Sequence, residues 1–251
     1  MGDGEKLRSS SDRRRPESSA PSLEILYEDN HLIAVYKNLG VLTQSDRTGH
    51  DSLFDQTKRW IKHHADKRGN VYLGLVHRLD RPVAGVVLFA KTSKAAGRLS
   101  KQIRERTVRK VYQAVVRGVP AKKEEKLEHF LSSGPANRVL VHRHQVHESK
   151  LARLSYRVLE GRAQCALVEI ELETGRKHQI RAQLAAIGHP IVGDRKYGDD
   201  QAPPAVLARD RGIALTGTRI EAAHPVRSEE KIVIELPPRL NPLREVLEQC
   251  R

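Results

Sequence analysis

The sequence predicts an α+β fold built on a large, mixed, mostly antiparallel β-sheet with flanking helices. Three observations predict it. Apolar β-like runs outnumber helical segments, their connections are short and hairpin-like, and few helices intervene between them. At 251 residues, 38% hydrophobic and 30% charged, the chain can bury a sizeable core and has the make-up of a globular protein.

Taken in order, residues 1–22 are rich in Ser, Arg, Pro and acids and contain one leucine, Leu7. They cannot bury enough apolar surface to offset the entropy of ordering, so a disordered tail is expected, followed by one domain over 23–251. Leu23-Glu24-Ile25-Leu26-Tyr27, a Glu-Asp-Asn turn and His31-Leu32-Ile33-Ala34-Val35-Tyr36 read as a hairpin. Residues 52–66 carry apolar side chains at helical spacing (Leu53, Phe54, Trp60, Ile61), and 93–106 form an amphipathic helix with Lys94, Arg98 and Lys101 on its exposed side. Between these helices, residues 71–92 read as strand, exposed turn, strand. A strand over 111–119, a charged loop over 121–128 and an alternating polar stretch over 139–147 follow. Residues 154–159 and 166–172 look like paired strands, 176–187 like a short helix, and 188–198 like an ordered loop with three glycines and a proline. Two more strands fall within 213–236, and a terminal helix over 241–249.

The charge balance is unusual. Lys and Arg number 45 against 31 Asp and Glu, a net +14, which points to a polyanionic partner, most simply nucleic acid. The surplus clusters at 98–117, where Arg98, Lys101, Arg104, Arg106, Arg109, Lys110 and Arg117 face Glu105 alone. Cys165 and Cys250 imply neither a disulfide framework nor a thiolate metal site, which suits a reducing compartment. No apolar run reaches membrane-spanning length, and the N-terminus has neither a secretory h-region nor the acid-poor character of a transit peptide. The cytoplasm is therefore the expected location. The histidines at 63–64 and 142–147 lack partner carboxylates or cysteines at ligand spacing, and the glycines of 188–198 lack a phosphate-loop pattern. Neither a metal nor a nucleotide is expected.

The most informative segment is His77-Arg78-Leu79-Asp80-Arg81-Pro82. An isolated aspartate at a turn is more often a cap than a nucleophile. Here Arg78, Arg81 and His77 surround it, and positive neighbours favour the carboxylate form. Asp80 is the candidate nucleophile, while His77 reads either as a ligand or as a structural histidine bonding the turn. In Thr174-Gly175-Arg176-Lys177-His178-Gln179-Ile180-Arg181, the last arginine projects from a helix and suits a bidentate grip on a carboxylate. In Arg109-Lys110-Val111-Tyr112, the tyrosine lies on a strand among basic residues, suited to stack on a base.

These blocks, with Gly188-His189-Pro190-Ile191-Val192-Gly193-Asp194-Arg195-Lys196-Tyr197-Gly198, resemble in order the RluA-like family of RNA pseudouridine synthases, over about residues 23–236. The resemblance implies a pseudouridine synthase-like fold with a basic central cleft, no cofactor, and isomerisation of a uridine in structured RNA, a stem-loop of rRNA or tRNA. It implies that Asp80 is the nucleophile, that Tyr112 stacks on the uracil and helps remove the C5 proton, and that Arg181 pairs with Asp80. Arg78 fills the gap left by the flipped uridine, with Arg81, His77, Arg98, Lys101, Lys110, Arg176 and His178 as further RNA-binding candidates. The S4-type domain that often precedes the catalytic one is not expected before residue 23, nor is an obligate protein partner, and a monomer is expected. The chain departs from the family pattern at Asn38, Val83-Ala84, Gln183 and Thr216-Gly217. The chief rival is a non-catalytic RNA-binding or chaperone protein that kept the fold. A metal-dependent nuclease would need an acidic cluster that the sequence does not show.

Overall fold

The computed structural model describes residues 23–46, 49–64 and 69–250. The tail over 1–22 and the end of the first helix at 65–66 lie outside them. The hairpin forms as β1 (Ile25–Glu28) and β2 (Leu32–Lys37), paired antiparallel, and α1 (Leu53–His64) follows. The segment over 71–92 becomes β3 (Gly74–Leu75), a loop over 76–83, and β4 (Ala84–Ala90), with β3 and β4 antiparallel. Next come α2 (Ser93–Arg104) and β5 (Arg109–Arg117). The hydroxyl of Thr92 caps α2, accepting the Ala95 N–H at 3.2 Å.

The chain continues through β6 (Glu124–Ser133), β7 (Val139–His142), β8 (Lys150–Gly161) and β9 (Cys165–Leu172). It ends with α3 (Gln179–Ala186), a turn of helix α4 (Ala205–Ala208), β10 (Leu215–Ala223), β11 (Lys231–Glu235) and α5 (Leu243–Gln249). Across the sheet the order is β1, β2, β4, β10, β5, β9, β8, β6, β7, with β3 beside β4 and β11 beside β10. Among the described strands, β4 and β10 make the one parallel pair. The mixed, mostly antiparallel sheet is as the sequence predicts.

Every residue of β4 is buried, because the strand carries a core on each face. Val87 and Phe89 join Ile33, Val35 and Tyr112 on one side, while Val86, Leu88 and Ala90 join Leu32, Leu99 and Ile220 on the other. The parallel contact brings Gly85 against Gly217, so close that a Cβ on Gly85 would stand 2.3 Å from the Gly217 carbonyl oxygen. Gly85 also has φ of +133°, so glycine is the residue this junction admits.

Three expectations need correction. The charged loop over 121–128 is largely strand: β6 starts at Glu124, alternates exposed Glu124 and Glu128 with inward Leu127 and Leu131, and pairs with β8. Its charge disguises a strand with one wet face. The helix expected from residue 176 starts at Gln179, because His178 adopts a left-handed backbone (φ +52°) and the Gln179 side chain caps the turn, accepting from the Arg176 N–H at 2.9 Å and the Thr174 hydroxyl at 2.8 Å. The cysteines are joined: Cys165 at the start of β9 and Cys250 after α5 form a disulfide with Cα atoms 6.0 Å apart. That removes the support that free thiols gave to a reducing compartment.

Candidate active site

Asp80 sits in the loop 76–83, at the mouth of the sheet beside the β4–β10 junction, and the backbone there is fastened on both sides of it. The buried Thr43 hydroxyl donates to the Leu79 carbonyl at 2.8 Å and accepts the Leu79 N–H at 3.2 Å. On the other side, the Arg81 carbonyl accepts from the Gly40 N–H at 3.1 Å and from Lys37 Nζ at 3.1 Å. Lys37 is fully buried and also donates to the carbonyls of Val41 (2.7 Å) and Asn38 (3.1 Å). Burial pushes its ammonium down to about 7, against the opposing pull of Asp80. Arg81 returns the contact, its Nε donating to the Gly40 carbonyl at 3.0 Å. Asp80 is thus held on a fastened loop rather than on a free turn.

His77 is structural: its Nε2 accepts the Leu88 N–H from β4 at 2.9 Å. Burial, with Lys110 adding to it, pushes its imidazole down to about 3.

Arg181 reaches Asp80 from α3, 101 residues away in sequence. It is 5% exposed, and its Nη1 donates to Asp80 Oδ2 at 3.2 Å. The bidentate grip expected for Asp80 goes elsewhere: Arg181 Nε and Nη2 bind the two oxygens of Asp194 at 2.7 and 2.9 Å. Asp194, 1% exposed, is a site residue that the sequence reading missed. His178 stands nearby, its Nε2 3.8 Å from Asp80 Oδ2, and burial pushes it down to about 4, although Asp80 pulls it up.

A cavity of about 520 Å³ opens in front of Asp80, within the range of small-molecule pockets. Tyr112 lines it from β5 and Arg181 from α3, with His77, Arg78, Lys110, Arg176 and His178 around them; Leu79, Val83 and Leu215 supply apolar wall. Burial, and then the charge of Asp80, push the Tyr112 hydroxyl well above its ordinary range, so the phenol is protonated at neutral pH.

Three RNA-binding candidates lie outside this cavity. Arg81 turns to Gly40, Arg98 donates to the Pro225 carbonyl at 2.6 Å, and Lys101 lies 3.8 Å from Glu105. The basic cluster of 98–117 is also less free than its sequence implies. Arg109 pairs with Glu171 and Glu221, and Arg117 with Asp199, all acids distant in sequence. Arg104, Arg106 and Lys110 remain on the cavity wall, with Arg176 opposite in the 174–178 turn.

The two low-pKa imidazoles carry a stability consequence. Both are neutral in the fold but protonate near 6.5 when unfolded. Between 6.5 and about 4 for His178, or about 3 for His77, the unfolded chain binds more protons, so stability falls as pH falls through that window. Urea denaturation followed from neutral pH downward should show this loss, and His178→Gln should flatten part of it. An unchanged pH dependence in that variant would show that His178 does not titrate between the two states.

With this geometry in place, comparison with known proteins is informative. Residues 31–186 match the RNA pseudouridylate synthase family. The chain is 36% identical over 218 residues to ribosomal large subunit pseudouridine synthase D of Nitrosomonas europaea, covering 83% of this chain and 60% of that protein. It is 33% identical over 231 residues to tRNA pseudouridine synthase C of Yersinia pestis, covering 82% and 83%. The chain thus spans about three fifths of the first relative's length and most of the second's. The human RNA pseudouridylate synthase domain containing 4 superimposes with a TM-score of 0.74 over 91% of this chain and 93% of its own, at 23% identity, which speaks for the fold. The matched span carries Asp80, Tyr112 and Arg181 together, and the chain belongs to the RNA pseudouridylate synthase family.

Proposed function

We propose that this chain isomerises a uridine of structured RNA to pseudouridine, with Asp80 as nucleophile. The carrying observation is the convergence, on one cavity of about 520 Å³, of a fastened aspartate, a buried arginine bonded to it and a buried tyrosine. The reaction breaks the N1–C1′ bond and forms C5–C1′ with the same base. Attack of the Asp80 carboxylate on the sugar releases the uracil with the bonding pair. The ring turns within the pocket, C5 bonds to C1′ as the carboxylate leaves, the C5 proton is lost and N1 takes one up. The apolar wall of Leu79, Val83 and Leu215 retains the detached ring. A base inside a stack must flip out to enter, and Arg78, exposed at the rim, is placed to occupy the gap.

Tyr112 stacks on the base and handles the C5 proton. Tyr112→Phe keeps the ring and loses the hydroxyl, so RNA binding should stay within about twofold of wild type while turnover falls by roughly 10²-fold, the usual scale of a lost proton-transfer group. Single-turnover release of tritium from [5-³H]uridine RNA reads the rate, and filter binding reads the affinity. A wild-type rate would remove the hydroxyl from the chemistry.

Arg104, Arg106, Lys110 and Arg176 line the cavity and are placed to bind phosphates. Each contact should add about 0.7–0.9 to the log–log salt slope. Arg104→Glu with Arg106→Glu should weaken RNAs of different sequence alike, because phosphate contacts position without specifying. A salt slope unchanged by the double reversal would move the RNA track elsewhere.

The relatives named above include rRNA and tRNA enzymes, and both substrate classes remain in the proposal. A loosely stacked uridine in a compact stem-loop costs least to extrude and is the expected target. The proposed protein is a monomer acting in the cytoplasm, its single catalytic domain running over 23–251. Among the described residues no helix is long and apolar enough to cross a membrane.

A further inference from the structure

Two donors face the carboxylate of Asp80, and both are held by one loop. Arg181 Nη1 lies 3.2 Å from Asp80 Oδ2 and His178 Nε2 lies 3.8 Å from it. Behind Arg181, the Asp194 carboxylate takes up Nε and Nη2 at 2.7 and 2.9 Å, leaving Nη1 for Asp80. Behind His178 stands the Tyr197 hydroxyl, 2.8 Å from Nδ1.

The hydrogen bonds fix the histidine tautomer. Tyr197 Oη already accepts the Val139 N–H at 2.9 Å, and the acceptor within reach of its own proton is His178 Nδ1. Nδ1 therefore accepts, and the ring proton sits on Nε2, the nitrogen that faces Asp80. Burial keeps this imidazole neutral, so it offers a proton donor without adding a second full charge. The Tyr197 ring also packs under the Arg181 guanidinium, 5.2 Å from its centroid to Cζ.

The loop is pinned for this task. Asp199, 2% exposed, accepts the Gly193 N–H at 2.6 Å and is gripped by Arg117 of β5 at 3.0 and 3.1 Å. The Asp194 carbonyl in turn accepts the Tyr197 N–H at 3.0 Å. Such closure places residues 194 and 197 on a rigid mount, as an orienting shell requires.

We propose that Asp194 and Tyr197 are positioning residues: Asp194 aims Arg181, and Tyr197 aims His178, at the nucleophilic carboxylate of Asp80. The proposal rests on the isomerase reading above. A loop that need not touch the reacting base thereby sets the geometry of attack, and displacements of the order of 1 Å at such a centre cost about 10²-fold in rate.

The test uses [5-³H]uridine-labelled tRNA and rRNA transcripts, with single-turnover tritium release and RNA Kd measured separately. Asp194→Asn should lower the rate about 10²-fold and Tyr197→Phe about tenfold, with Kd within about twofold of wild type. Because Asp194 acts through Arg181, Asp194→Asn added to Arg181→Lys should slow that variant by less than about threefold. Equal losses in both backgrounds, or a rise in Kd or a fall in folded fraction that accounts for the rate, would overturn the proposal. Should Asp194→Asn fail to fold, Asp194→Glu keeps the charge and displaces the grip: a slowed step in a folded protein supports the proposal, and a wild-type rate overturns it. A wild-type protein that releases no tritium overturns the isomerase reading and this one with it; the variant pattern overturns this one alone.

Discussion

Asp80→Asn should abolish isomerisation while leaving the fold and RNA affinity intact. The amide has nearly the volume of the carboxylate and sits on a loop held by Thr43, Lys37 and Gly40 through backbone groups, not through the Asp80 side chain. Its contact with Arg181 is a single bond, and Asp194 continues to satisfy the guanidinium. The amide cannot form a covalent bond to the sugar and leave again as a carboxylate, so the rate should drop by at least about 10⁴-fold. Melting temperature and filter binding are the controls. Turnover above a trace in a preparation free of wild-type enzyme would remove Asp80 from the chemistry.

Arg181→Met should be damaging twice over. It strips Asp80 of its arginine donor, and losing one well-placed charged donor typically costs roughly 10²–10³-fold in rate. It also leaves Asp194 buried without its bidentate partner, a change that costs roughly 3–5 kcal/mol. Against a total stability of about 5–15 kcal/mol, the melting temperature should fall by roughly 6–20 °C. Adding Asp194→Asn should recover part of the stability and none of the activity. A thermally unaffected Arg181→Met would mean that the pair does not bear on the fold.

Much of this was legible in the sequence. The apolar flanks of His77-Arg78-Leu79-Asp80 predict strand, turn, strand, and β3, the loop and β4 follow that pattern. The helix carrying Arg181 and the strand carrying Tyr112 are readable in kind, although the helix begins three residues later than expected and buries six successive residues, Gln179 to Leu184, rather than one face. What escaped depends on partners distant in the chain. Asp194 looks like one of many loop acids until Arg181 folds onto it from 13 residues away. Lys37 and Thr43 resemble ordinary surface residues near a turn, and only burial against the loop 76–83 makes them anchors. Local counting overstated the basic cluster, since Glu171, Asp199 and Glu221 neutralise Arg109 and Arg117 from other strands or loops. Two cysteines 85 positions apart gave no spacing to read, and their junction follows from α5 packing on β5 and β9.

The departures from the family pattern also acquire places. Val83 and Ala84 are core, leading into the strand that meets β10, and Gly217 lies opposite Tyr112 across the β5–β10 ladder. Gln183 is buried, its amide reaching His129 Nδ1 at 3.0 Å and the Ala152 carbonyl at 3.3 Å, so it fastens α3 to the sheet. Val83 bonds to Asp80 through the backbone, its N–H donating to the Asp80 carbonyl at 3.0 Å, while the Asp80 carboxylate is met by Arg181 and His178 among the described residues.

The most direct test is nucleoside analysis of [5-³H]uridine-labelled rRNA and tRNA transcripts after incubation with the purified protein. Tritium should be released in proportion to enzyme, the strands should remain full length, and digestion should yield pseudouridine at a discrete position. Uridine recovered unchanged while the RNA is nonetheless bound would contradict the catalytic reading and leave a binding protein on a synthase fold.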